Sequence, residues 1–346
     1  MPCSHRGSAK ASVAPSASTV RRGRMARSSR RPAGSYKHAC GIERVVSAIM
    51  RRFATPPDSR MQIGMIPVNI GVSTAEEVVG LARLAEDSGF ESVWTFEHVV
   101  VPLEYASKYP YDASGKMGAS PETPFVDPLI ALTAVAAATK TIRLGTGVNI
   151  LPQANPLFLA KQAASLDALS GGRLLLGLGI GWLREEFDAM GVPFERRGAR
   201  FDDYVEAMRK VWSGDVVEHD SDFVQWSGFK SYPRPVQDPL PVIIGGSKGK
   251  ILERIARHGN GWYVPGTDIG EIAALLAPLK DACADVGRDY SEIEITCMWP
   301  GRGGPDAVRQ FEDLGVHRLV VPLFALGGDP ASALPRFGEE VIAQVA

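Results

Sequence analysis

The sequence predicts a (β/α)8 TIM barrel, and three observations predict it. From Met61 onward, short apolar runs alternate with helix-like segments eight times. The runs are apolar throughout rather than at every second residue, which marks strands covered on both faces, as in a parallel sheet. Eight such units suit a barrel, whose usual length is about 250 residues. The alternation shows no halfway break of the kind an open doubly wound sheet would have.

The elements follow in order. QIGMIPV (62–68) reads as the first strand. Thr74 then opens the helix TAEEVVGLARLAEDSG, with Glu77 completing a capping box and Gly89 as the stop. ESVWTFE (91–97) is the second strand, DPLIALTAVAAATK (127–140) a helix and TIRLGTGVNI (141–150) the third strand. The next helix starts at Pro156, a favoured first-turn residue, and ends in Gly171-Gly172. RLLLGLGIG (173–181) is the fourth strand. Two helices, LREEFDAM and RGARFDDYVEAMRKVW, precede an irregular stretch. PLPVIIGG (239–246), GWYV (261–264), EIEITCM (292–298) and VHRLVVPL (316–323) are strands five to eight. Helices separate them, and a last helix covers about 330–345.

Two connections are longer than ordinary loops, 99–126 and 213–238. Connections of this length are usually functional or mobile. The first follows strand two, so it falls at the catalytic face and reads as a lid or as a plain surface loop. Its Tyr105, Tyr109 and Tyr111 would suit an aromatic or apolar substrate.

The net charge of −1 conceals two unlike pieces. Residues 1–60 hold 13 Lys or Arg against 2 Asp or Glu, with much Ser, Ala and Pro and few large apolar residues. Such a composition does not offset its ordering entropy, and a disordered basic tail is expected. The domain organisation is therefore a tail over 1–60 and one barrel over 61–346. A nucleic-acid arm or transit peptide competes with sequence lying upstream of a start at Met50 or Met61, and the second reading is preferred. Four scattered cysteines in no metal spacing suggest a reduced, cytoplasmic protein. The histidines form no ligand pair, so no metal is expected, and no stretch is long and apolar enough for a membrane span.

Active sites of such barrels are built at the carboxyl ends of the strands. Strand two ends in Glu97-His98, the best acid/base candidates, because a histidine titrates near neutrality and a neighbouring carboxylate can share its work. Strand four carries glycines at 177, 179 and 181, which would clear one face for a planar body or for another backbone. Packing explains Gly177; a cofactor rim explains Gly181. GLGIGW lacks the third glycine of a dinucleotide fingerprint, and GGSKGK lacks P-loop spacing. The amides of GGSKGK still make either a phosphate cradle or a plain turn.

The block GLGIGWLREEFDAMGVPFERRGARFDDYVEAMRKVW resembles the bacterial luciferase-like superfamily, and most closely its coenzyme F420-dependent oxidoreductases. WTFEHVVVP, IRLGTGVNILPQANP and PVIIGGSKGKILERIARHGNGWYV agree with it, and the resemblance spans about 61–325. It implies a (β/α)8 barrel in which Glu97 and His98 lie by the reactive ring of a deazaflavin or flavin. Thr146, Gly147, Val148 and Asn149 would back the ring, with a cis peptide at Gly147–Val148. Gly181, Trp182 and Glu185 would border the cofactor, and Gly245, Gly246 and Ser247 would hold its phosphate. The implied reaction is hydride transfer to or from a small organic substrate on coenzyme F420. An FMN-dependent monooxygenase fed by a partner reductase is the alternative, and a flavin-binding protein without turnover is another. Relatives are often dimers, so a homodimer is an expectation; no nucleic-acid or membrane partner is expected.

Overall fold

A computed structural model describes residues 60–345; the basic tail, apart from Arg60, lies outside them. The strands are β1 (Gln62–Ile66), β2 (Ser92–Thr95), β3 (Arg143–Thr146), β4 (Asn149–Ile150), β5 (Leu174–Gly179), β6 (Val217–Asp220), β7 (Gln225–Phe229), β8 (Val242–Gly245), β9 (Gly261–Val264), β10 (Glu294–Met298) and β11 (Arg318–Pro322). The first six α-helices of the barrel are α1 (Ala75–Asp87), α2 (Pro128–Ala138), α3 (Pro156–Ser170), α4 (Arg184–Ala189), α5 (Arg197–Trp212) and α6 (Ile251–His258).

The parallel order β3-β2-β1-β11-β10-β9-β8-β5 closes on itself through the β3–β5 pairing. Eight strands make the predicted barrel. β4 continues the third position beside β5, pairing Asn149 with Leu178 and Ile150 with Gly179. The third strand is thus interrupted, where the sequence reads as one run, and the interruption falls at the cis peptide Gly147–Val148.

Local signals explain the helix ends. Thr74 Oγ1 accepts from the Glu77 amide at 3.2 Å while Glu77 Oε2 accepts from the Thr74 amide at 3.0 Å, the expected capping box. Asp127 caps α2 and Asn155 caps α3, which stops at Gly171 in the left-handed region. One expectation is corrected. The stretch 213–238 is not irregular throughout, because β6 and β7 form an antiparallel hairpin. Asp203 on α5 ties it down, accepting from Ser221 Oγ at 2.9 Å and lying 2.9 Å from His219 Nε2.

Inside the barrel, Ile66, Trp94, Leu175, Ile243, Tyr263 and Val320 form a layer separate from the larger core between strands and helices. Trp94 fits because its neighbours are small: a Cβ at Gly145 would lie 2.2 Å from Trp94 Cδ2, and one at Gly64 2.7 Å from Nε1. Below it, the wholly buried Arg318 is gripped by Glu91 at 2.9 Å, by Glu294 and by Gln62. Removing one partner of such a buried cluster leaves an uncompensated charge. This amino-terminal end also holds a cavity of about 530 Å3 lined in part by Arg143, Glu294 and His317. In barrels of this class that end serves stability, and the chemistry sits at the other.

Candidate active site

The carboxyl end of β2 delivers Glu97 and His98, held by separate networks. Glu97 Oε1 accepts from Asn149 Nδ2 at 2.6 Å, and its Oε2 accepts from the Ile150 amide. Burial pushes the Glu97 carboxyl up to about 7, against the Ile150 amide and Asn149 and with help from the charges of Glu186 and Asp127. Such a group exchanges a proton readily at neutral pH. His98 Nδ1 lies 3.1 Å from Glu186 Oε2, and its ring meets Phe125 and Trp182 edge-on.

The raised carboxyl has a consequence for stability. The folded state favours the protonated form, so it binds more protons than the unfolded chain between about 4.5, the ordinary carboxyl value, and about 7. The contribution of Glu97 is therefore full below about 4.5 and is lost as pH rises through about 7. Glu97→Gln imitates the neutral form, and Asn149 can turn its amide to accept from the new NH2. We expect the melting temperature of the wild type, measured against Glu97→Gln, to be less favourable at pH 8 than at pH 5. A difference that does not change with pH would show that Glu97 is ionised throughout.

The 99–126 connection covers this end of the barrel and is pinned at several points. Asn69, just after β1, donates to the Phe96 carbonyl at 2.8 Å and the Val126 carbonyl at 2.6 Å. Glu186 Oε1 accepts from the Val99 amide at 2.6 Å and the Val100 amide at 3.3 Å. Glu185 Oε1 accepts from the Ala106 amide at 2.7 Å and the Ser107 amide at 3.2 Å. Burial raises the Glu185 carboxyl, but hydrogen bonds from Ser107 and Ala106 outweigh it and hold the group at about 2. Its carboxylate is thus engaged by the loop. Tyr105 and Tyr109 pack edge-on to Trp182 at centroid distances of 5.8 and 5.2 Å, and Tyr109 meets Tyr111. Together with His98 and Phe125 they make an aromatic collar.

The alternating glycines have a different role from the one expected at the rim. A Cβ on Gly177 would lie 1.7 Å from the Thr146 carbonyl oxygen. One on Gly179 would lie 2.6 Å from Val148 Cγ2, and one on Gly245 2.9 Å from Val148 Cγ1. The small residues of β5 and β8 thus make room for the cis turn and for the Val148 side chain. Gly181 has φ of +76°, and a Cβ there would meet Phe187 and Ile150, so neighbouring side chains already fill the space its missing side chain leaves. Its carbonyl accepts from Arg197 Nε at 3.1 Å.

The remaining candidates separate. Thr146 is buried and its hydroxyl donates to the Gly177 carbonyl at 2.7 Å, so its side chain serves the barrel. Val148 keeps a partly exposed face, and buried Asn149 has an Oδ1 with no partner. Gly245, Gly246 and Ser247 form the turn into α6, some strands away from β2. Sequence reading missed Asn69, which fixes the root of the lid, and the contacts of Glu186 with His98 and the loop. It also missed Tyr263, which packs beneath Gly147 with its hydroxyl 2.8 Å from Met298 Sδ. The signal for Asn69 was an amide directly after the first strand.

The residues present fit a flat heteroaromatic ring with a donor at its edge. Val148 offers an apolar surface, and Asn149 Oδ1 is a buried acceptor awaiting a donor.

Comparison with known proteins agrees with this architecture. Residues 54–300 match the family model described as luciferase-like monooxygenase. The uncharacterized protein Rv0940c of Mycobacterium tuberculosis is 34% identical over 276 residues, 77% of this chain and 95% of that protein. The 5,10-methylenetetrahydromethanopterin reductase of Methanolobus tindarius is 26% identical over 262 residues, 76% of this chain and 71% of the reductase. Among solved structures, the monooxygenase RslO1 of Streptomyces bottropensis has a TM-score of 0.65 at 25% identity, covering 83% of this chain and 100% of that one. The coenzyme F420 dependent tetrahydromethanopterin reductase of Methanopyrus kandleri has a TM-score of 0.66 and covers 83% and 99%; at 19% identity it shares the fold. With a family match over more than two thirds of its length and a closed barrel of eight parallel strands, the chain belongs to the luciferase-like monooxygenase family.

Proposed function

We propose that this protein is an oxidoreductase that uses coenzyme F420 to move a hydride to or from a small organic substrate. The observation that carries the reading is the pairing of Glu97 and His98, adjacent in sequence yet held by different networks, with one carboxyl pushed up to about 7. Moving a hydride to a carbonyl, or from an alcohol, requires a proton to move at the neighbouring oxygen. A group that titrates near neutrality suits that task. The sequence similarity to a reductase, and the likeness of the long block around Gly181 to F420-dependent enzymes, support it further.

The chain's own residues have these parts. Val148, Asn149 and Trp182 would hold the ring, with Asn149 Oδ1 accepting from its edge. The amides of Gly246 and Ser247 would take the phosphate. Bound there, the deazaflavin would supply the hydride chemistry. His98 and Glu97 hold and move the proton. The lid and its aromatic collar exclude water and offer an apolar wall to the substrate.

A second reading, an FMN-dependent monooxygenase supplied by a separate reductase, is favoured by the 25% identity to RslO1. Titration of the full chain with oxidised F420, and separately with FMN, distinguishes the two by fluorescence or heat. We expect F420 to bind tightly and FMN weakly. The reverse order would move the assignment to the monooxygenase. Binding of neither would remove the basis of both.

A further inference from the structure

We infer that Glu186 is a positioning residue that fixes the proton of His98 on Nδ1 and ties that choice to the root of the lid. The inference rests on the reading of His98 as a proton-handling group. Glu186 stands in the first turn of α4 and is 1% exposed. Its Oε1 receives the Val99 amide at 2.6 Å and the Val100 amide at 3.3 Å, and its Oε2 faces His98 Nδ1 at 3.1 Å. Backbone amides only donate, so Oε1 is committed as an acceptor. An ionised carboxylate has no proton to give, so the proton shared at Oε2 belongs to the imidazole. Neutral His98 then carries its hydrogen on Nδ1 and keeps a lone pair on Nε2, which makes no hydrogen bond among the described residues.

A staple for two amides would need only one oxygen. The second oxygen of a buried carboxylate, placed on a histidine beside the candidate site, is what sets Glu186 apart from neighbouring Glu185, whose contacts are with the lid alone. The same side chain therefore links where the loop begins and which imidazole nitrogen is free. Orientation of a histidine through its other nitrogen is a recurrent way of setting its tautomer.

The test is Glu186→Gln in the full chain. Val99 and Val100 still require an acceptor, so the amide oxygen takes the place of Oε1 and the NH2 turns toward His98. That NH2 donates, so Nδ1 must become the acceptor and the imidazole proton moves to Nε2. The readout is 15N–1H correlation of the imidazole nitrogens in histidine-labelled protein with no cofactor added. Spectra are taken about two units above the ordinary imidazole pKa of about 6.5. His98 signals are identified by their loss in His98→Ala. We expect the Nδ1–H tautomer in the wild type and the Nε2–H tautomer in Glu186→Gln. An Nε2–H tautomer in the wild type overturns the inference, whether or not the variant folds. An unchanged tautomer in a folded variant overturns it as well. Because no cofactor is present, a protein that binds neither F420 nor FMN still decides the matter, so failure here is distinct from failure of the functional reading.

Discussion

His98→Ala should lower turnover by about a hundredfold, the lower range for a lost general acid or base, while affinity for F420 changes only a few-fold. The two expectations differ because the residues that would hold the ring, Val148, Asn149 and Trp182, come from other strand ends than His98. Turnover is followed as F420 reduction, or oxidation of its reduced form, with a panel of small alcohols, aldehydes and unsaturated carbonyl compounds. Truncation to alanine also frees Glu186 Oε2, which is buried, and could loosen the lid. His98→Gln separates the two effects. Its amide can donate to Glu186 and keep that anchor, but it cannot exchange a proton. Both variants should be slow. If His98→Gln turns over at the wild-type rate, His98 is a staple for the loop and the proton is handled elsewhere, with Glu97 the first candidate.

The barrel was legible because strands covered on both faces need apolar residues at nearly every position, and helices with capping signals separate them. β5 is buried at all six positions, as its run of Leu and Gly suggests. The hairpin of β6 and β7 was not legible. VEHD and QWSGF are short and largely polar, and what fixes them is Asp203 on the preceding helix, α5. The break between β3 and β4 was not legible: TIRLGTGVNI reads as one run, and the family resemblance implied only the cis peptide at Gly147–Val148, where the break falls. Glu97 and His98 stood out as candidates because strand ends are where such barrels place chemistry. Glu186 could not be found in the same way. Two acidic residues in a first helical turn have a sufficient explanation in the helix dipole. Only the folding of a distant loop across α4 gives them partners.

The glycines of the fourth barrel strand yield the sharpest stability test. Gly177→Ala would place a methyl group 1.7 Å from the Thr146 carbonyl oxygen, and that oxygen belongs to the backbone of a neighbouring strand. Overpacking of an ordinary core costs about 1–3 kcal/mol. A contact with backbone inside a closed barrel belongs at or above the top of that range. We expect a melting midpoint lowered by about 10 °C, from roughly 2–4 °C per kcal/mol in a domain of this size, or insoluble protein. Gly179→Ala differs in kind, because its methyl would meet the Val148 side chain, at 2.6 Å from Cγ2. Trimming that side chain should therefore relieve it: Val148→Ala should recover much of the loss in Gly179→Ala and almost none in Gly177→Ala. Gly80→Ala in α1, where a Cβ meets nothing within 4 Å, should raise stability by about 0.5–1 kcal/mol. If Gly177→Ala instead melts with the wild type, strand four has room to spare, and its glycines regain the role of clearing space for a bound ring. If it collapses while the Val148 pair shows the expected rescue, the glycines shape the barrel end around one valine, and any ring bound there rests on Val148 rather than on the glycine strand.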